Sequence, residues 1–301
     1  MGDLVGRAGG RSVGVRFQNV SAGANAFPFR FLAWRALHSR AMSKMRVTFL
    51  GTGTSQGVPR IGCSCSVCAS PDPRDSRTRC SLYIETPEFS WVVDTGADFR
   101  TQCLRAGVKR VDAALFTHAH ADHVMGFDDL RPFCAHGKQL PIYGSADTLD
   151  QLASTFEYAF KPAVRFPGYI HPKPVVVTGC FELGAVQITP LKLPHGRTES
   201  LGYLLRLEGA PLFAYLTDCK SVPEEVEAAV AGVRHLVIDA LRERPHPTHL
   251  STGEALEVIA RVAPGSAWLT HLCHDHAHAE LEARLPLGVR VAYDGLVLDL
   301  D

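Results

Sequence analysis

The chain has 301 residues, 46% of them apolar and 21% charged, and its 31 acidic and 31 basic side chains leave no formal net charge. That length allows one large domain or two small ones, and the composition is that of an ordinary soluble globular protein. There is no global basic field to draw nucleic acid or a membrane surface, and no apolar stretch approaches the roughly 18 residues of a membrane span.

Residues 1–45 differ in composition from the rest of the chain. They carry Arg7, Arg11, Arg16, Arg30, Arg35, Arg40 and Lys44 against one acid, Asp3. Pro28 and Arg30 interrupt the apolar run around Phe27, Phe29, Phe31, Leu32 and Trp34, which argues against a signal-peptide core. An organellar transit peptide shares the Arg-rich, acid-poor composition. The favoured reading is a translated leader with Met42 or Met45 as the working start, because Met45 directly precedes the first predicted strand. Either way the segment is expected to be poorly ordered.

The expected folded part, 46–301, opens on a strand over 46–50 and then Gly51-Thr52-Gly53-Thr54-Ser55-Gln56-Gly57. This loop lacks the Lys-Ser/Thr of a phosphate-binding loop and a full dinucleotide fingerprint, and reads as a tight turn at the sheet edge. Cys63, Cys65 and Cys68 come next. Three thiols at this spacing make a compact soft site one ligand short of tetrahedral zinc. The other cysteines (Cys80, Cys103, Cys134, Cys180, Cys219, Cys273) are scattered and bring the total to an odd nine, which suits reduced, mostly buried thiols in the cytoplasm. Residues 81–86 and 91–94 read as a hairpin ending at Asp94, and a helix from about Asp98 ends near Gly107.

The apolar run 113–116 predicts a short buried strand that leads into Thr117-His118-Ala119-His120-Ala121-Asp122-His123. Alternate residues of an extended segment point the same way, so His118 and His120 can share one centre while Asp122 and His123 turn to a second. Three imidazoles and a carboxylate within six residues suit Zn, Mn, Fe or Ni rather than Ca or Mg. Further on, strands over 186–193, 212–217, 235–239, 267–270 and 295–299 interleave with helices near 146–158, 222–231, 251–263 and 277–284, with a Pro-rich loop over 160–174. His195, Asp218 and His271 each stand at the end of one of these strands, where sites are commonly built. Ser251-x-x-Glu254 reads as a capping box, which sets His249 just before a helix N-terminus, a place favourable to anions. Arg242, Arg244 and His246 share that polar loop, and His276 and His278 read as solvent-facing helix residues.

The His118-x-His120-x-Asp122-His123 motif after a buried strand resembles the signature of the metallo-β-lactamase superfamily. That resemblance implies an α/β (α+β) fold, a four-layer αββα sandwich with two mixed sheets. It also implies that His118, His120 and His195 hold one divalent ion, Mn2+ or Zn2+. By the same resemblance Asp122, His123 and His271 hold a second, Asp218 bridges the two, and Asp94 orients the metal loop without binding metal. Paired ions about 3.5–4 Å apart make a shared hydroxide available for hydrolysis and clamp attacking and leaving oxygens. Asp122 thus counts as both ligand and catalytic group.

The Cys63-x-Cys65-x2-Cys68 loop, with His274 three residues beyond His271, narrows the likeness. Over about residues 46–275 the chain resembles the PhnP-type phosphoribosyl cyclic phosphodiesterases, in which such a loop and a late His bind a structural zinc. The substrate implied is a small anionic phosphodiester such as 5-phosphoribosyl 1,2-cyclic phosphate, with His249 contacting the phosphate and protonating the leaving oxygen. A homodimer is also implied by the superfamily. Two alternatives remain: a tRNA 3′-processing nuclease, disfavoured because the 71 residues between His123 and His195 hold no Gly-rich basic arm, and a non-hydrolytic cofactor-maturation protein of the PqqB type, whose motif is usually degraded. Lactam and glutathione-thioester hydrolases lack the cysteine loop.

Overall fold

The computed structural model describes residues 45–161, 166 and 168–301, so the expectation for the leader, Met45 apart, lies outside the described residues. In chain order the strands are β1 (Met45–Gly51), β2 (Ser81–Glu85), β3 (Ser90–Val93), β4 (Ala113–Leu115), β5 (Leu140–Gly144), β6 (Pro172–Val176), β7 (Phe181–Leu183), β8 (Val186–His195), β9 (Thr198–Leu207), β10 (Ala210–Leu216), β11 (His235–Asp239), β12 (Ser266–Thr270), β13 (Val289–Val291) and β14 (Val297–Leu300). They form two mixed seven-stranded sheets, ordered β14-β1-β2-β3-β4-β5-β6 and β13-β12-β11-β10-β9-β8-β7. The helices are α1 (Phe99–Ala106), α2 (Ala121–Val124), α3 (Ala146–Thr155), α4 (Glu157–Phe160), α5 (Glu224–Val230), α6 (Thr252–Val262) and α7 (His278–Glu282).

The period-2 alternation of strand side chains explains why these runs are apolar throughout. In β3, Trp91 and Val93 face the second sheet while Val92 faces outward onto the cluster that holds Phe99 of α1 and Leu149 and Leu152 of α3. In β10, Phe213 and Tyr215 face the first sheet while Ala214 and Leu216 pack with Val226 of α5 and Val258 of α6. Both faces of both sheets are therefore covered, which is the four-layer αββα sandwich expected.

Within the first sheet β3, β4, β5 and β6 run parallel, and within the second so do β10, β11, β12 and β13. Ligands in such sheets gather beyond the carboxyl ends of the strands. Asp94 follows β3, Thr117 and His118 lie just past β4, Asp218 lies past β10, Asp239 closes β11 and His271 follows β12. The sheets are pinned together there: the buried Tyr203 hydroxyl donates to the Phe116 carbonyl (2.7 Å) and Leu201 N donates to Thr117 O (2.8 Å).

Several expectations are corrected. β5, β6, β7, β9 and β13 were not foreseen, and β6 starts inside the expected loop 160–174; Pro172 and Pro174 are tolerated because β6 is an edge strand. The 146–158 helix breaks into α3 and α4 at Phe156, and the last strand is Val297–Leu300. The Gly-rich loop is not at an edge: β1 lies between β14 and β2, and Gly53 bridges to both Arg79 and Leu272. Of the six scattered cysteines Cys80, Cys134 and Cys219 are buried, whereas Cys180 is exposed; all nine are free thiols.

His276 and His278 are buried, not solvent-facing. His276 Nε2 pairs with the Thr252 hydroxyl (3.2 Å) at the start of α6. His278 N donates to Asp75 Oδ1 (2.6 Å), and its Nδ1 accepts from the buried guanidinium of Arg77 (3.3 Å). Segment 73–77 covers the start of α7, a packing that local periodicity does not reveal.

Candidate metal centre

The site grows out of β4. Its apolar strand passes through Phe116 to Thr117, whose amide and hydroxyl both donate to the buried carboxylate of Asp94 (2.8 and 2.9 Å). The chain then turns into α2, and His123 Nδ1 donates to Asp94 Oδ2 (2.7 Å), which leaves its Nε2 facing the interior of the site. His195, the last residue of β8, donates from Nδ1 to the Thr248 carbonyl (2.9 Å) and so presents Nε2 as well. These outer partners fix ring orientation and tautomer, as ligand histidines require.

Three imidazole nitrogens converge: His118 Nε2 and His195 Nε2 lie 2.8 and 3.2 Å from His120 Nδ1. Beside them His123 Nε2 stands 3.3 Å from both Asp122 Oδ2 and Asp218 Oδ2, and His271 Nε2 is 3.2 Å from Asp218 Oδ1. Ligand atoms of His118, His120 and His195 lie within 4.8 Å of one another, as do those of Asp122, His123, Asp218 and His271. Asp218 also groups with His195, which puts it between the two sets.

The donor set fits cations. His123 Nε2 and both ring nitrogens of His271 are buried without a hydrogen-bond partner, a costly arrangement unless something else satisfies them. Burial opposes ionisation of Asp218, yet the charges of His271 and His123 hold it well below the usual carboxylate range. Burial likewise opposes charge on His271, but Asp218 and Asp122 push it up to about 9. Clustered, ionised carboxylates and imidazoles are the chemistry of a divalent-metal site.

Backbone strain concentrates here. Asp94, Asp218 and His271 have φ of 61°, 53° and 59°, and they are three of the five non-glycine residues with positive φ among the described residues. Such conformations persist where surrounding structure over-determines them, commonly at functional sites.

His249 lies at the rim, its ring stacked on His271 at 4.6 Å with 16° between planes. Its Nδ1 donates to Asp239 Oδ2 (2.7 Å), which leaves Nε2 free of that bond. The expected capping box is formed: Ser251 Oγ accepts from Glu254 N, and Glu254 accepts from Ser251 N (2.7 Å). His246 is 5.2 Å from His249 by ring centroids, whereas Arg242 turns back onto the carbonyls of Arg244 and Pro245, and Arg244 pairs with Asp275. Asp239 went unassigned from sequence, although it ends an apolar strand just as Asp94 and Asp218 do.

The cysteine loop forms a second, separate cluster. His274 Nδ1 is 3.4 Å from Cys63 Sγ and 3.3 Å from Cys65 Sγ, and the ligand atoms of Cys63, Cys65, Cys68 and His274 lie within 4.8 Å of one another. The Cys68 amide and His274 draw the Cys65 thiol down to about 6. Four soft donors so arranged match a closed tetrahedral zinc site.

Residues 91–272 match the family described as the Beta-lactamase superfamily domain. A crystal structure of a diphosphatase from the PhnP family is similar at 36% identity and TM-score 0.78, covering 85% of this chain and 97% of that one. The octanoyltransferase of Porphyromonas gingivalis is 37% identical over 265 residues, 85% of this chain but 52% of that protein, so the chain spans about half the length of that curated relative. Zn(2+)-bound PqqB from Methylobacterium extorquens, at 21% identity and TM-score 0.71, shares the fold. Fold and family match together place the chain in the metallo-β-lactamase superfamily. Within that superfamily, the chain belongs to the PhnP family.

Proposed function

We propose that the protein is a dinuclear metal-dependent phosphodiesterase that hydrolyses a small cyclic phosphate such as 5-phosphoribosyl 1,2-cyclic phosphate. The observation that carries this reading is the convergence of seven ligand side chains, with Asp218 between two sets, beside a rim histidine bonded to a carboxylate. His118, His120 and His195 would hold one ion, Asp122, His123 and His271 the other, and Asp218 both. Divalent ions held there supply Lewis-acid activation of water and neutralise charge on a phosphoryl group. Asp94 holds the His123 ring, and the Thr248 carbonyl holds His195, so neither ligand rotates as substrate enters. His120 is exposed and marks the open side, where an anionic ester meets a centre whose two carboxylates do not cancel two divalent ions. His249, bonded through Nδ1, keeps Nε2 to hold the proton that the leaving oxygen takes up. The cluster of Cys63, Cys65, Cys68 and His274 would carry a structural zinc that ties the loop after β1 to the segment after β12.

A second reading, cleavage of a diphosphate, is favoured by the PhnP-family relative at 36% identity, which is a diphosphatase. The experiment is turnover of bis(p-nitrophenyl) phosphate by protein reconstituted with manganese, beside Asp218→Ala. The variant is expected to lose bound metal and hydrolysis together; a fully active Asp218→Ala protein would overturn the assignment.

A further inference from the structure

Asp94 and Asp239 occupy corresponding places in the two halves of the molecule. Each follows or closes a buried strand that pairs in parallel with the next, β3 with β4 and β11 with β12. The Asp94 carboxylate spends one oxygen on the Thr117 amide and the other on His123 Nδ1 and the Thr117 hydroxyl. The Asp239 carboxylate uses Oδ2 in the same manner: it accepts from the Cys219 amide (3.0 Å), next to Asp218, and from His249 Nδ1 (2.7 Å). Its Oδ1, however, is buried with no hydrogen-bond partner. Facing it at 3.9 Å is His271 Nδ1, also buried and also without a partner. Two complementary buried groups left this close are an unmade bond, since an N–H and a carboxylate oxygen each lose water's hydrogen bonds on burial.

We infer that Asp239 is a positioning residue shared by a metal ligand and by the rim histidine: its Oδ1 accepts from His271 Nδ1 when His271 Nε2 takes a metal ion, while Oδ2 holds His249. A metal on Nε2 fixes the proton on Nδ1, which then needs an acceptor, and Asp239 Oδ1 stands in line for it. The same carboxylate holds the amide beside Asp218, whose φ of 53° keeps that side chain between the two ligand sets. Occupancy of the His271 position and placement of His249 are thereby linked through one side chain. The inference rests on the dinuclear reading of the site, but not on the identity of the substrate.

The test compares Asp239→Asn, Asp239→Glu and His249→Gln in the full chain, each stripped of metal and titrated with Zn2+ against a chromophoric chelator, with bis(p-nitrophenyl) phosphate turnover measured in parallel. Asp239→Asn is expected to bind one of the two site ions about 10–100-fold more weakly, the range found for lost outer partners of metal ligands. His249→Gln is expected to keep both affinities and lose turnover alone, and Asp239→Glu to recover part of the affinity that Asp239→Asn loses. Unchanged affinity for both ions in Asp239→Asn would overturn the inference and leave Asp239 as a partner of His249 only. Equal loss in His249→Gln would overturn it too, because the effect would then belong to any change at the rim. Should Asp239→Asn fail to fold by circular dichroism, Asp239→Ser decides, since it too lacks the carboxylate: a selective loss of one ion supports the shared role, and unaltered binding of both overturns it. Wild-type protein that binds both ions but hydrolyses no ester would defeat the phosphodiesterase reading while leaving these affinities to judge Asp239.

Discussion

Replacing Gly96 with alanine probes how tightly backbone packing sets the turn that bears Asp122 and His123. A Cβ at Gly96 would lie 2.1 Å from the Asp122 carbonyl oxygen and 3.2 Å from its carbonyl carbon. To reach an ordinary van der Waals contact of at least 3.4 Å, that turn must lift by more than about 1 Å. It has little freedom to do so. Thr95 N donates to the His123 carbonyl (2.7 Å), Gly126 N donates to the Thr95 carbonyl (2.8 Å), and a Cβ at Gly126 would already sit 2.2 Å from Gly96 O. Overpacking of this kind costs about 1–3 kcal/mol, which for a domain of this size lowers Tm by roughly 2–12 °C. Moving Asp122 and His123 by about 1 Å is also expected to cut turnover on the order of 100-fold. Thermal unfolding of metal-free protein, metal content and bis(p-nitrophenyl) phosphate turnover check the two parts separately. Wild-type values for all three in Gly96→Ala would refute the packing argument.

Tyr203→Phe removes the hydroxyl that bonds the Phe116 carbonyl between the sheets, and is expected to cost about 1–3 kcal/mol in urea unfolding. Gly253→Ala lies in α6 with nothing within 4 Å of the added Cβ, so a gain of about 0.5–1 kcal/mol is expected by the same assay. Burial, with the charges of Arg77 and Arg74, lowers the His278 pKa to about 4. Between that value and the roughly 6.5 of an unfolded histidine the unfolded chain binds the extra proton, so stability rises with pH across this window and falls on acidification. His278→Gln, compared with wild type by urea unfolding at pH 4.5 and pH 7, is expected to show a shallower loss at the lower pH. An identical loss would remove His278 from the explanation. Cys65→Ser is expected to lower zinc content by one ion per chain in native mass spectrometry, while the centre of His118 and His271 keeps its own.

What was legible in the sequence is what lies close along the chain. His118, His120, Asp122 and His123 fall within six residues, and the strand before them forces alternate side chains to one side. The residues that end strands, Asp94, His195, Asp218 and His271, were readable because apolar runs stop abruptly at them, and the structure gathers them at one edge of the sandwich. Asp239 ends such a run too, but its partners Cys219 and His249 reach it only through the pairing of β11 with β10 and the loop that precedes α6. The burial of His278 depends on Arg77, two hundred residues away, and no local pattern carries that information. β6 was hidden by prolines that only an edge strand accepts, and β9 by Gly202, whose missing Cβ makes room for Leu216 and the Tyr215 carbonyl. The sheet order itself arises from contacts far apart in sequence, such as Met45 with Leu300.

The most direct measurement is turnover of 5-phosphoribosyl 1,2-cyclic phosphate by manganese-reconstituted protein of known metal content, with bis(p-nitrophenyl) phosphate and a nucleoside diphosphate beside it. Efficient hydrolysis of the cyclic ester, exceeding that of the other two and abolished in Asp218→Ala, is the predicted result. Protein that carries its full complement of ions and hydrolyses none of the three would contradict the phosphodiesterase assignment.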